Sequence, residues 1–247
     1  MGLILDTYDD RYYFVVTTEN ILEPLGLLVL GDSRFSLMPQ TREMTARIVG
    51  MDGEYDFGCE FEMRVLELHC ATQDGLSVQQ KFQLQRTLAR WLNPKNGFKY
   101  LVFMDNPDYL YEVKYSGITD VTEHPTWFEV TLPFKAKPFI VSAVEYTKPQ
   151  GTFTYNGTVE APVSVVITGP ATNPTLTWNG ETISLTVDIP DGGTYTIDST
   201  VGRAFLNGAD VTNSYPETYY FPQAALGENT FSVSAGTAVA VYRERYL

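Results

Sequence analysis

Few residues in this chain are equipped for chemistry. Histidine occurs twice, at His69 and His124, and cysteine twice, at Cys59 and Cys70. A nucleophile needs a base within hydrogen-bond reach, and the one adjacent pair is His69-Cys70. Neighbouring residues on a strand point to opposite faces, so that pair is poorly placed to act on one substrate. The same four residues lack short spacings of the Cys-x-x-Cys kind that build a zinc site. Asp52, Glu54 and Asp56 alternate like oxygen ligands within Gly50-Met-Asp-Gly-Glu-Tyr-Asp-Phe-Gly58. The sixth-position glycine and distal glutamate of an EF-hand loop are out of register there, so a solvated acidic loop is expected.

Glu60, Glu62 and Glu217 could supply the paired carboxylates of a wall hydrolase, although any acidic chain offers such pairs. Trp178, Tyr195, Tyr215, Tyr219 and Tyr220 would stack on sugar rings if they stood exposed together. Trp178 is thus the candidate sugar platform of a carbohydrate-binding module. The other reading is that these aromatics fill a core or an interface, where large rings supply buried area. Asn156-Gly-Thr158 matches a glycosylation acceptor and reads equally as a turn. No phosphate-binding glycine motif of the Walker or dinucleotide type is present. These residues point away from catalysis, and no cofactor or metal is implied.

The elements around them are strands. The chain has 247 residues, of which 44% are hydrophobic and 13% aromatic, enough for a packed core. With 16 Tyr and 14 Phe, strands are favoured, and 19 Gly and 14 Pro supply turns. A net charge of −13 disfavours tight binding to nucleic-acid phosphate. The first residues do not read as a signal peptide, because no Lys or Arg precedes Arg11 and Leu3-Ile4-Leu5 stops at Asp6. The longest apolar stretches, such as Leu25 to Leu30, fall far short of the ~20 residues of a membrane span.

Cys59 to Cys70 reads as one long strand. Cys59, Phe61, Met63 and Val65 form an apolar set that shifts phase to Leu66, Leu68 and Cys70, which predicts a bulge or a change of buried face. Along such a strand the two cysteines lie roughly 35 Å apart. Their Cα atoms would need to be within about 7 Å for a disulfide, so reduced thiols and a cytosolic site of folding are expected. Ser77 to Leu92 is the one convincing helix, with a capping box from Ser77 and Gln80 and a stop at Asn93-Pro94. Val78, Phe82, Leu88, Ala89 and Leu92 share its apolar face. Phe98–Met104 and Tyr109–Tyr115 read as a hairpin. Another strand places Phe128, Val130, Leu132 and Phe134 on one face, with Pro133 and Pro138 marking its end. From about Phe139 helical periodicity disappears. Asn156-Gly157, Asn179-Gly180 and Asn207-Gly208 are turn signals of a β-sandwich. The expected division is 1–138 and 139–247.

In order and spacing, several segments resemble the distal tail proteins of long-tailed phages of Gram-positive bacteria. They are Gly50–Gly58, Leu88-Ala-Arg-Trp-Leu92, Tyr100–Asp105, Tyr109–Tyr115, Ala161–Gly169, Gly227-Glu-Asn229 and Val241–Leu247. Met51 departs from the pattern, standing where a basic residue is expected. The resemblance implies a mainly β protein. Its N-terminal β-sandwich, with one α-helix and an extended β-hairpin, would form a homo-hexameric ring, and a galectin-like β-sandwich would follow. The ring would sit at the virion's tail tip, after assembly in the host cytoplasm. It would join the tail tube protein to the tail-associated fibre or lysin protein and dock receptor-binding protein. Genome DNA would pass through the ring's channel without specific binding, the net charge of −13 leading to an expected acidic lining, and no membrane would be involved. On that reading Asp52, Gly53, Tyr55 and Asp56 form a subunit-interface loop, and the protein is not an enzyme.

Overall fold

The structure, a computed structural model, describes residues 13–247 apart from 24, 32, 37, 51 and 217–219. The N-terminal features, Met51, Glu217 and Tyr219 therefore lie outside the described residues. The chain divides into two compact units, Met1–Val141 together with Leu247, and Ser142–Tyr246. Each has its own hydrophobic core.

The first unit is built on strands β1 (Tyr13–Val16), β2 (Ile21–Glu23), β3 (Leu27–Val29), β4 (Arg34–Phe35), β5 (Thr41–Ala46), β6 (Tyr55–Phe61) and β7 (Arg64–Ala71). Helix α1 (Val78–Trp91) follows, then β8 (Lys99–Phe103), β9 (Tyr109–Tyr115), β10 (Val121–Glu123) and β11 (Phe128–Ala136). The main sheet runs β10-β11-β7-β3-β2-β1-β8-β9, and β11 pairs with β9 as well as with β7. The sheet thereby curls over its own core. The β8–β9 hairpin holds the register Lys99↔Val113 to Val102↔Leu110, while β1 and β8 run parallel. Along β11, Phe128, Val130, Leu132 and Phe134 are all buried.

Two expectations give way to geometry. The strand does not end at Pro133, which pairs opposite Glu67 while β11 continues to Ala136. The Pro133 carbonyl accepts from the Ser116 N–H at 3.0 Å. A residue's N–H and C=O share one side of a strand, so the missing N–H faces residue 116 and leaves the β7 ladder intact. Likewise Cys59 to Cys70 is two strands. β6 belongs to a separate two-stranded sheet with β5, and β7 enters the main sheet at Arg64. The phase shift in the sequence marks that break, and Phe61, Met63 and Val65 are exposed.

Helix α1 starts as its sequence dictates. Ser77 accepts from the Gln80 N–H at 3.3 Å, and Gln80 accepts from the Ser77 N–H at 2.8 Å, completing the capping box. Its inward face is rotated from the apolar stripe. Lys81, Leu88 and Leu92 are buried, whereas Val78 and Phe82 are 63% and 58% exposed. Periodicity reads lysine as outward, but the Lys81 stem is apolar and its Nζ donates to the His124 carbonyl at 2.8 Å. Lys99 pins the other end, with Nζ 4.3 Å from the Trp91 ring centroid and 4.9 Å from that of Phe14.

The second unit is an antiparallel sandwich. One sheet orders 146–149, 237–242, 164–168, 194–198, 203–206 and 209–210; the other orders 151–155, 227–233, 175–178 and 181–184. Asn179-Gly180 and Asn207-Gly208 turn their hairpins with positive φ at both residues, at 49° and 89° and at 50° and 82°. Asn156-Gly157 forms no such turn. A Cβ on Gly157 would stand 2.2 Å from the Tyr155 hydroxyl, so this glycine serves a close approach instead.

Because Leu132 is fully buried, Leu132→Ala should cost about 2–5 kcal/mol. Ser77→Ala should cost about 1 kcal/mol through the lost cap. Phe82→Ser should stay within about 0.5 kcal/mol despite its place in the apolar stripe. Amide hydrogen exchange of the first unit's strands measures all three.

Candidate functional site

The residues suited to chemistry do not converge. Cys70 is 1% exposed, its Sγ lies 3.8 Å from the Leu68 carbonyl, and burial pushes its pKa up to about 12. It is thus a thiol rather than a thiolate at neutral pH, and His69 is only half-buried on the other side of the strand. His124 stacks on Trp127 with ring centroids 3.8 Å apart. Glu60 is ion-paired across the hairpin with Arg42, both exposed. Glu62 is exposed next to it, its N–H donating to the Gln40 carbonyl at 2.6 Å. No group of three or more His, Cys, Asp or Glu among the described residues could hold a metal ion. No described helix is long and apolar enough to cross a membrane.

The candidate sugar platform is interior. Trp178 is 0% exposed, its Nε1 donates to the Gln223 carbonyl at 2.8 Å, and it packs on Phe231 and Phe153. Its faces are spent on neighbours, leaving none for a pyranose. Tyr195 and Tyr215 are buried as well, and Tyr220 is 40% exposed. The Tyr215 hydroxyl donates to the Tyr220 carbonyl at 2.6 Å, and its ring stacks on Phe221 at 4.6 Å. The Asn156 side chain donates to Glu244 at 3.3 Å, tying the glycosylation-like tripeptide into the fold.

What stands free is the β5–β6 hairpin. Its strands pair only with each other, from Thr41↔Phe61 to Ala46↔Tyr55, with a register shift between Glu43 and Thr45. Asp52, Gly53, Tyr55 and Asp56 are all exposed at and beside its tip. Gly50 and Gly53 at the hairpin tip take φ of 88° and 92°, and Gly58, within β6 opposite the register shift, takes 96°, which explains glycine at these positions. Asp56 accepts from the Gly58 N–H at 2.7 Å, so this acid shapes the loop. Tyr55 and Phe57 stack on one another at 6.0 Å, yet remain 51% and 63% exposed. Phe61, at the base, meets Phe139 edge-on at 5.7 Å. Met44, Ile48 and Val49 add to the exposed apolar set. A lone two-stranded hairpin is marginal in water, and a clustered apolar surface marks an interaction site. The sequence reading puts Tyr55 and Phe57 in a loop and begins a strand at Cys59, whereas Tyr55–Phe61 is one strand of the arm, with Tyr55, Phe57, Cys59 and Phe61 all exposed.

A second surface lies beside α1. A groove of about 620 Å³ is bounded by Leu88, Ala89 and Leu92 of the helix, Val121 of β10, and Phe128 and Val130 of β11. Arg86 and Arg90 are exposed on the same helix. Neither helix residue nor strand residue announces this groove, because it needs β10 and α1 side by side.

Residues 20–136 match the phage tail protein RIFT-related domain, and residues 156–246 match the C-terminal domain of the siphovirus-type tail component. Two β units in this order define a tail component of a long-tailed phage. The chain belongs to the siphovirus distal tail protein family, and is a structural protein of the virion's tail hub or baseplate. The crystal structure of SPP1 Dit (gp 19.1), described as a paradigm of hub adsorption apparatus in Gram-positive infecting phages, shares the fold. Its TM-score is 0.75 at 16% identity, over 90% of this chain and 94% of that chain. The phage P2 baseplate in its activated conformation with Ca gives a TM-score of 0.40 at 10% identity, over 87% and 91%. The activated phage p2 baseplate with Sr gives 0.42 at 10% identity, over 87% and 91%. No curated protein matches the chain.

Cys59 is exposed and Cys70 buried. Maleimide labelling of native protein should modify Cys59 alone, with Cys70 reacting only in denaturant, as peptide mass spectrometry will read. Burial also raises Tyr155, Tyr195, Tyr215 and Tyr242, the last to about 12. A raised folded pKa means that the folded state holds its proton longer. Stability is therefore fully present below the unfolded tyrosine value of about 10 and is lost as pH rises from there through the raised folded values. The second unit's melting temperature should accordingly be level up to about pH 9 and fall from about pH 10 upward.

Proposed function

We propose that this protein forms a six-membered ring at the phage tail tip. Residues 1–138 form the ring body and 139–247 a galectin-like domain directed at other tail components. The observation that carries this reading is the β5–β6 hairpin, whose Tyr55 and Phe57 are stacked but uncovered. An exposed two-stranded arm with an apolar face belongs to an assembly rather than to an isolated chain. Asp52, Gly53, Tyr55 and Asp56 then lie at or near a subunit contact.

The ring joins the tail tube protein to the tail-associated fibre or lysin protein and offers a dock for receptor-binding protein. Membership of the distal tail family supports that position. Assembly in the host cytoplasm is consistent with two free cysteines. The protein's work is mechanical, not catalytic: Glu60 is engaged by Arg42, and the buried Cys70 thiol is not ionised at neutral pH. A net charge of −13 suits a channel wall along which DNA slides without sticking.

Multi-angle light scattering with negative-stain imaging, alone and with tube and fibre partners, tests this reading. Six-fold rings are expected in at least one mixture. A monomer in every mixture overturns it. Binding to a glycan array by the isolated chain would instead favour the carbohydrate-binding reading.

A further inference from the structure

We infer that the groove between α1 and β10 takes an extended, apolar and basic peptide segment of another protein, which adds a strand to the β10 edge. The groove is complete within one chain, so the inference goes beyond the ring reading and does not need it.

The direction of the β10 backbone carries the inference. The Thr131 N–H donates to the Asp120 carbonyl at 3.1 Å, and the His124 N–H donates to the Trp127 carbonyl at 2.9 Å. Asp120 and His124 therefore turn their backbone groups toward β11, as does Thr122 between them, opposite Glu129. Backbone direction alternates along a strand, so Val121 and Glu123 face the other way. No described strand pairs on that side of β10. The N–H and C=O groups of Val121 and Glu123 thus stand at an edge where an incoming strand can satisfy them.

The side chains of the same two residues share one face and line the groove of about 620 Å³, together with Leu88, Ala89 and Leu92. Open backbone and apolar lining therefore coincide. An extended peptide needs both, ladder bonds along its length and a recess for alternate side chains. Val78 and Phe82, on the same side of α1 as Ala89, continue the apolar surface at 63% and 58% exposure. Strand and helix are tied together at one end. The Lys81 Nζ donates to the His124 carbonyl at 2.8 Å, and the Gln85 Nε2 donates to Glu123 at 3.1 Å. The groove is thus preformed, which spares a ligand the cost of ordering it.

Charge selects the occupant. Among the described residues that line the groove, Glu123 alone is charged, and the chain as a whole carries −13. An acidic groove on an acidic protein favours Lys or Arg in its ligand and disfavours a second copy of this chain. The segment that fits has apolar residues at alternate positions, with a basic residue on the same face to meet Glu123.

A displayed library of linear peptides of about eight residues, selected on the full chain, tests this. Enriched sequences should alternate apolar and polar residues and carry Lys or Arg on the apolar face. Glu123→Lys chain should select Asp or Glu there instead. Val121→Pro removes an edge N–H while leaving the β11 ladder whole, and should weaken binding of an enriched peptide about tenfold. N-methylation at alternate residues of that peptide should abolish binding in one register and spare it in the other, which a merely apolar contact would not do. Unchanged melting curves report that both variants fold, and the methylated peptides decide the matter on wild-type chain alone. Absence of enrichment, equal binding to wild-type and variant chains, or equal loss from both methylation registers overturns the inference. Dimers in light scattering that exclude the peptide overturn it as well, since a second copy then fills the groove.

Discussion

The first unit depends on β11 serving as a strand for two neighbours. Over eight residues it pairs with β7, and at its end Phe134 to Ala136 pair with β9. Its alternating Phe128, Val130, Leu132 and Phe134 fill the interior that this double pairing creates. Each buried side chain of this kind contributes about 1.5–3 kcal/mol relative to exposure. Closure also decides what lies outside the sheet. Arg64, 1% exposed at the start of β7, is held by the Pro138 carbonyl at 2.7 Å and the Ser36 carbonyl at 3.3 Å. Desolvation lowers its pKa, but the guanidinium stays charged and anchors the corner where the chain leaves the arm and joins the sheet.

The arm lies outside this closure. β5 and β6 pair only with each other and with no strand of the main sheet, so their apolar residues face solvent. The same closure leaves β10 as an edge and lets α1 lie beside it, which forms the groove. Burying the rotated helix face through Lys81, Leu88 and Leu92 keeps Val78 and Phe82 outside. The result is a buried core within the curled sheet, with apolar side chains of the arm and of the outer helix face left exposed.

The second unit disposes of its aromatics differently. Phe153, Trp178, Phe231 and Tyr242 interlock, with centroid separations of 5.3 to 6.1 Å. Asn229, 1% exposed, bonds the Asn179 side chain and the backbone of Ala225 and Gly227, so the buried amide is fully used. Rings that would suit sugar stacking on a surface are here the interior.

Local patterns were legible in the residues. Ser77 and Gln80 set the helix start, Asn179-Gly180 and Asn207-Gly208 set two hairpins, and the alternation of β11 set its buried face. Each depends on bonds or faces within a few positions of one another. The family, too, followed from ordered motifs along the chain. Tertiary structure alone decided which alternating strand is core and which is arm, because Tyr55-Phe57 and Leu66-Leu68 have the same period. The pairing of β6 with β5 alone leaves the first pair outside the main sheet. It likewise decided that Pro133 lies within a strand, since the outcome depends on which side its absent N–H faces. Trp178 became core and Lys81 turned inward for a related reason. Burial depends on what the rest of the chain places opposite a residue, and no local spacing records that.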